Sequence, residues 1–325
     1  MKKFLVCCMV IGFFSACRKD ASNEFVPYPN LQINDTTWAN KQMSQGLLDS
    51  MAAAFLVPSH TDTFNSSTGR KIVFSDSLQI AIPGGACTAT GSSTALVNTT
   101  IQVELLALRR KGDFVRFQIP TTAGKYLLES GGDFFVRFTN NGQEVGLTQG
   151  ATYSIRIADS LPQTAMSFYM GVPLTNRDSS FTWQASTDGG NVALWDSTSN
   201  GGKKGYVLAS KLLHWTGINL LTDTTAPKTR INVTLALNFT NKNTLVFAVA
   251  KNKRTVIKLS PDFPSRSYYA QNVQTGTAFT ILSISLIDHD FYVGTRDITF
   301  TGADKISVSP QKKSASDIMA ILDAL

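Results

Sequence analysis

Between residues 71 and 159 apolar side chains alternate with polar ones in short runs, and glycine, asparagine and threonine collect between the runs. Ile101, Val103 and Leu105 form one run, Phe135, Val136 and Phe138 a second, and Tyr153, Ile155 and Ile157 a third. A period of two residues sends successive side chains to opposite faces of a strand, so the segment predicts half-buried β-structure. Asn140-Asn141-Gly142 has the composition of a hairpin turn. From Val103 to Leu108 nearly every residue is apolar, which predicts a strand covered on both faces. This grammar constrains the scaffold closely and says little about chemistry.

The same reading extends along the chain. Strands are expected at 71–74, 78–82, 100–108, 126–128, 132–140, 143–147 and 152–157, with glycine turns at Gly84-Gly85 and Gly131-Gly132. A second set is expected at 231–239, 245–250, 255–259, 278–288, 291–295 and 304–308, with Asp288-His289-Asp290 as a turn. Residues 38–55 space their apolar groups at helical intervals and are rich in alanine. The segment from Ser314 carries Ile318, Met319, Ile321, Leu322 and Leu325 on a helical period behind a serine cap. Residues 60–70 read as a polar turn region. The expected fold is all-β: two antiparallel β-sandwich-type domains in tandem, with a short helix near the N-terminus and one at the C-terminus. The first occupies residues 31–160 and the second 216–325, joined by a linking region with strands at 161–215. Hydrophobic residues make up 43% of the 325, enough for two ordinary cores.

Ahead of these lies a leader. Lys2 and Lys3 precede an uncharged apolar run, Phe4 to Phe14, that is too short to span a bilayer and ends in Ser15-Ala16-Cys17. The pattern resembles a bacterial lipoprotein signal, which implies cleavage after residue 16, lipid on Cys17, and a polar tether over residues 17–30. An ordinary secreted precursor is the competing reading. Lipid chains contribute roughly 0.8 kcal/mol per buried CH₂, so more than one chain gives stable membrane attachment. Outer-membrane attachment is expected; Arg18-Lys19-Asp20 departs from the acidic signal that directs many Bacteroidetes lipoproteins outward, so the periplasmic and cell-surface faces both stay open. Losing Lys2 and Lys3 leaves 28 basic residues against 23 acidic, a dispersed excess in an exported chain, and nucleic acid is excluded as a partner on that ground. Cys7 and Cys8 leave with the leader, so Cys87 remains as a lone thiol and no intrachain disulfide framework is expected.

Leu78-Gln79-Ile80-Ala81-Ile82-Pro83-Gly84-Gly85-Ala86, following the strand at Lys71–Phe74, resembles the ZU5 domain pattern of a strand closing in an isoleucine-proline-glycine-alanine turn. Further landmarks follow in order: Ile101-Gln102-Val103-Glu104-Leu105, Pro120-Thr121-Thr122, and Leu128-Glu129-Ser130-Gly131-Gly132 running into Phe135. Trp215-Thr216-Gly217-Ile218-Asn219 resembles the downstream half of Bacteroidetes lipoproteins with this domain. The resemblance implies an all-β association module and no catalytic residues.

No constellation for catalysis stands out. His214 beside Trp215 reads as a packed core or interface histidine, Asp288-His289-Asp290 as a turn rather than a metal site, and Asp133 as a turn residue; Glu104 and Glu129 have no partner at glycosidase spacing. GxSxG, HExxH and P-loop motifs are absent from the sequence. Neither cofactor nor metal is expected, and the chain is read as no enzyme. Aromatic residues next to polar loops, with Trp195, Trp183 and Tyr206 foremost and Tyr169, Tyr268 and Tyr269 beside them, are the candidate ligand-binding residues. The expected function is a protein-association or structural module of the cell envelope, with the membrane reached through the lipid anchor. A surface carbohydrate-binding protein is the alternative, and an envelope hydrolase a third. We expect Cys17→Ser to abolish incorporation of radiolabelled palmitate and to move the protein from the membrane to the soluble fraction; unchanged labelling would remove Cys17 as the anchor.

Overall fold

The computed structural model describes Trp38 and residues 43–173, 181–197, 202–222, 225–302 and 305–325. By contact the described residues lie in one compact unit, Trp38–Leu325. The leader, Cys17, the tether and the strand expected from Leu31 fall outside them. The fold is all-β, with helices Gln45–Phe55 (α1), Lys111–Arg116 (α2) and Ala315–Asp323 (α3). Among the described residues no helix is long and apolar enough to cross a membrane.

Four sheets carry the described residues. Sheet I has nine strands and runs His60–Asn65, Thr100–Leu108, Tyr126–Asn140, His214–Leu221, Ser167–Pro173, Phe181–Ala185, with short strands appended to its middle. Sheet II runs Gly190–Ser197, Lys203–Ser210, Tyr153–Ala158, Leu78–Pro83, Gly69–Ser75. Sheet III runs Ser260–Asp262, Ser267–Gln274, Lys228–Leu235, Lys305–Val308, its last pair parallel. Sheet IV runs Val256–Lys258, Thr244–Ala250, Ala278–Ile287, Asp290–Thr299, Gln311–Lys312. The turn residues expected from composition close two hairpins. Asn141 and Gly142 (φ 48° and 79°) join Asn140 to Gln143, and Asp288 and His289 (φ 48° and 75°) join Ile287 to Asp290.

Three apolar clusters fill the spaces between these layers. The first, with Ile80, Ile155, Val103, Phe138 and Leu208, draws on sheets I and II. The third, with Ile231, Val233, Val246, Ala248 and Ile281, draws on sheets III and IV. The second takes side chains from the opposite faces of sheets I and IV and from all three helices: Leu108, Leu128 and Trp183 with Phe247, Leu282, Met51, Phe114 and Ile318. Strand Thr244–Ala250 is buried at every position, and its alternation divides it: Leu245, Phe247 and Val249 enter the second cluster, Val246, Ala248 and Ala250 the third.

Helices α2 and α3 are locked together at the second cluster. A Cβ on Gly112 would lie 1.9 Å from the Leu322 carbonyl oxygen, so only glycine admits that approach. Beside it the Arg116 guanidinium, 1% exposed, bonds to Asp113 Oδ1 at 3.2 Å, Asp323 Oδ1 at 2.7 Å and the Met319 carbonyl at 3.3 Å. Ser314 and Asp317 cap α3 reciprocally.

Several expectations are corrected. Residues 60–70 hold strand His60–Asn65 and the start of Gly69–Ser75; the first is a sheet edge with Phe64 alone buried, so its composition is that of a loop. The helix of residues 38–55 begins only at Gln45. The two strands expected around residue 130 are one, Tyr126–Asn140, and Gly131 is the extra residue of a bulge opposite Ile218 and Asn219 rather than part of a turn. Strands within residues 161–215 belong to sheets I and II.

Asp133 is no turn residue either. It sits fully buried after the bulge, where Asn219 Nδ2 donates to its Oδ1 at 2.7 Å and Ser130 Oγ to its Oδ2 at 3.2 Å. Its strand partner is Gly217, where a Cβ would stand 1.9 Å from Oδ1. The Glu-Ser-Gly-Gly-Asp and Trp-Thr-Gly-Ile-Asn landmarks thus meet as one buried polar cluster. Burial pushes the Asp133 carboxyl from 3.8 up to about 8, against the opposing effect of Asn219 and Ser130. The native state therefore binds more protons than the unfolded chain between these values, and stability falls as pH rises through that window. Asp133→Asn should flatten this decline and gain about 2 kcal/mol at the alkaline end relative to the parent. Parallel urea midpoints from pH 5 to pH 8 would count against it.

Candidate functional site

A cleft of about 480 Å³ opens where α1, sheet I and sheet IV come together at the margin of the second cluster. Helix α1 makes one wall because its apolar residues fall in two stripes with spacing i, i+4: Met51 and Phe55 enter the cluster, while Leu48 and Ala52 face the cleft. Asp49, exposed, accepts from Gln45 Nε2 at 2.7 Å one turn away, and both line the cleft on this helix.

Phe117, Gln118 and Ile119 make a second wall just beyond α2. The helix ends with Gln118 at φ 55°, the left-handed position usually given to glycine, while Gln118 N–H reaches the Val115 carbonyl and Ile119 N–H the Phe114 carbonyl. A glutamine there, in a conformation that costs of order 1 kcal/mol or more, is held by the packing around it. Its Oε1 accepts from Lys258 Nζ at 3.4 Å.

Phe181 and Trp215 come from neighbouring regions of sheet I, and Trp183 stands behind them: its ring meets Phe181 at 5.1 Å and Trp215 at 6.5 Å, edge to face. Trp183 is 1% exposed and its Nε1 donates to the Pro120 carbonyl at 3.1 Å. On the far side lie Thr244, Leu245, Lys258, Leu259, Pro261 and Tyr268. The Tyr268 hydroxyl donates to the Thr244 carbonyl at 2.9 Å, its ring touches Trp38, and burial pushes its pKa upward.

Lys258 is the unusual member. Burial alone lowers its ammonium from 10.5 to about 8, and it pairs with no carboxylate among the described residues. The arrangement provides an apolar, aromatic-walled recess with one poorly solvated cation, which suits binding and orientation of a ligand. No family model, curated protein or solved structure matches this chain.

The sequence-derived candidates are placed elsewhere. Trp183 and Tyr206 are interior side chains rather than exposed platforms; the Tyr206 hydroxyl accepts from the Gln163 backbone N–H at 2.6 Å. Trp195 is half-buried, covered on one face by the Arg156 guanidinium at 3.6 Å from its ring centre, with Nε1 donating to the Ile157 carbonyl. Tyr169 is buried, and Tyr269 lies under Arg230. None of Trp195, Trp183 and Tyr206 lines the cleft; Tyr268 and Trp215 do.

His214, expected to be packed, is exposed: Nε2 lies 2.6 Å from Glu144 Oε1 and its ring stacks on Phe135. Glu129 and Glu104 each have a partner, Gln163 Nε2 at 2.8 Å and the Arg137 guanidinium at 2.5 Å. Cys87 is fully buried and burial raises its thiol to about 11. Among the described residues no group of three His, Cys, Asp or Glu is placed to hold a metal. Lys258, Gln118 and α2 escaped sequence reasoning; the one available signal was a lysine between Ile257 and Leu259 in an apolar strand.

Lys258 is depressed in the folded state, so the unfolded chain binds the extra proton between about pH 8 and 10.5, and stability rises with pH across that window. Asp49 and Tyr268 are the other titratable groups lining the cleft. Lys258→Met should raise stability at pH 7 by on the order of 2 kcal/mol and remove this rise. A Lys258→Met protein that retains the parent's alkaline slope in guanidinium unfolding would show that the ammonium is solvated.

Proposed function

We propose that this chain is a non-catalytic, lipid-anchored protein of the cell envelope, held at the outer membrane through Cys17, whose folded unit holds a partner in the cleft. In this reading sheets I and II form a ZU5-like β-sandwich and sheets III and IV a second one in tandem, with the second cluster between them. The leader ending in Ser15-Ala16-Cys17 supports the anchor, and the Ile82-Pro83-Gly84-Gly85-Ala86 turn supports the first domain.

The cleft is the observation that carries the binding role. It combines apolar walls from Leu48, Ile119, Trp215 and Leu245 with polar groups from Gln118, Asn241, Thr244 and Lys258, a mixture that can both hold and orient a ligand. Among the described residues the histidines are dispersed: His60 rests on Phe74, His214 on Phe135 beside Glu144, and His289 occupies a tight turn. The glycan alternative would rest on half-buried Trp195, whose ring is covered by Arg156 on one face. Trp183 and Tyr206 are interior.

A photo-crosslinking residue placed at Leu48 in intact cells should give a discrete adduct, identifiable by mass whether the partner is small or a protein. The same residue at Leu161, which is 78% exposed and outside the cleft, should not give it. An identical adduct pattern from both positions, or none from Leu48, would refute the cleft as the binding site.

A further inference from the structure

The cleft has one fixed charge that its own walls leave unanswered. Lys258 lines the cleft with Ile119, Leu245 and Leu259 as well as with the neutral polar residues Asn241 and Thr244, and its Nζ donates to the neutral Gln118 amide oxygen at the long distance of 3.4 Å. Holding a desolvated ammonium against an amide alone is unfavourable, and an anion brought to it removes that penalty. Asp49 does not serve: it stands exposed on α1, bonded to Gln45, and makes no ion pair with Lys258.

From this geometry we infer that the cleft binds a small amphipathic monocarboxylate, with its carboxylate on Lys258 and its apolar body along Leu48, Phe117, Ile119, Trp215 and Leu245. The inference rests on the cleft being the binding site and names the chemistry of its occupant. One lysine supplies one point charge, which suits a monoanion; phosphate groups call for several donors or a bidentate guanidinium. The exposed Asp49 carboxylate also works against a second negative charge on the ligand. The cavity volume falls in the range of small-molecule sites, roughly 300–1,000 Å³.

The test uses the full chain carrying Cys17→Ser, so that no attached lipid competes, and titrates it calorimetrically below the micellar range with dodecanoate, dodecanol and dodecylamine. Dodecanoate should bind at least 10-fold more tightly than dodecanol, and dodecylamine should bind weakest. Lys258→Met should erase the preference for dodecanoate while dodecanol binding persists, and Lys258→Arg should keep the preference. Trp215→Ala should weaken both ligands. If dodecanoate and dodecanol bind alike, and Lys258→Met changes neither, the carboxylate assignment is wrong and an apolar binding cleft survives. If nothing binds and Trp215→Ala is silent, the inference fails together with any small amphiphile as occupant, while the Leu48 crosslink reports separately on a protein partner. A short apolar peptide with a free C-terminus that outcompetes dodecanoate in a Lys258-dependent way would overturn the small-molecule source.

Discussion

Sheet I has two apolar faces, and neither can be left in water. One is covered by sheet II. The other carries Leu108, Leu128, Tyr169, Phe181 and Trp183, and these side chains would be exposed if the chain stopped at residue 221. Burying a side chain of this size is worth roughly 1.5–3 kcal/mol, so the second cluster is a major term holding the layers in place. Sheet IV and the three helices supply the cover, and that is why strand Thr244–Ala250 has no solvent face. The cleft lies at the margin of this cluster, where α1 and the sheets meet without filling the space between them. Its walls are continuous with a core.

Inside this apolar scheme two of the polar clusters among the described residues, one fully buried and one reaching the half-exposed Asp323, tie together distant segments. Arg116, Asp113 and Asp323 bind the middle of the chain to α3 at its end. Ser130, Asp133 and Asn219 bind the bulged strand to its neighbour. Buried polar groups of this kind contribute little net stability compared with an apolar replacement, but breaking them singly is costly because the remaining partner is stranded. They fix register: a one-residue slip of Tyr126–Asn140 against His214–Leu221 would drive the Asp133 carboxyl away from Gly217 and Asn219.

What the sequence discloses follows from the range of the forces involved. Period-two alternation in Tyr153–Ala158 or Thr100–Leu108 is local, and so is the turn chemistry of Asn141-Gly142; both are legible in the residues themselves. Gly131-Gly132 is ambiguous, since the same dipeptide makes a turn or a bulge, and the partner strand decides. The six-residue α2 is too short to show a helical period, and its caps are Arg110 and Phe117, neither of which signals a helix end. Edge strand His60–Asn65 buries one residue and therefore reads as loop. Two of the aromatic candidates are interior for related reasons: Trp183 lies between Thr182 and Gln184 because strands alternate, and Tyr206 follows Lys203-Lys204-Gly205, while both side chains face inward. The cleft is the least legible feature, built from segments as far apart as Leu48, Gln118, Trp215 and Lys258.

That dispersal also bears on why Lys258 is where it is. A lysine in strand Val256–Lys258 could reach solvent on a free sheet edge, and its long stem would allow it. Here α1 and residues 117–119 line the same cleft as Lys258, so its partial burial is a product of tertiary packing. A fold that merely tolerated this lysine would be expected to place a carboxylate against it, since sheets III and IV pair Arg230 with Asp262 and Lys251 with Asp297 on their exposed surfaces. Those surface pairs are worth little, about 0–1 kcal/mol each. The one cation for which a partner would matter most faces an open cleft, and the missing charge is most simply supplied by whatever enters it.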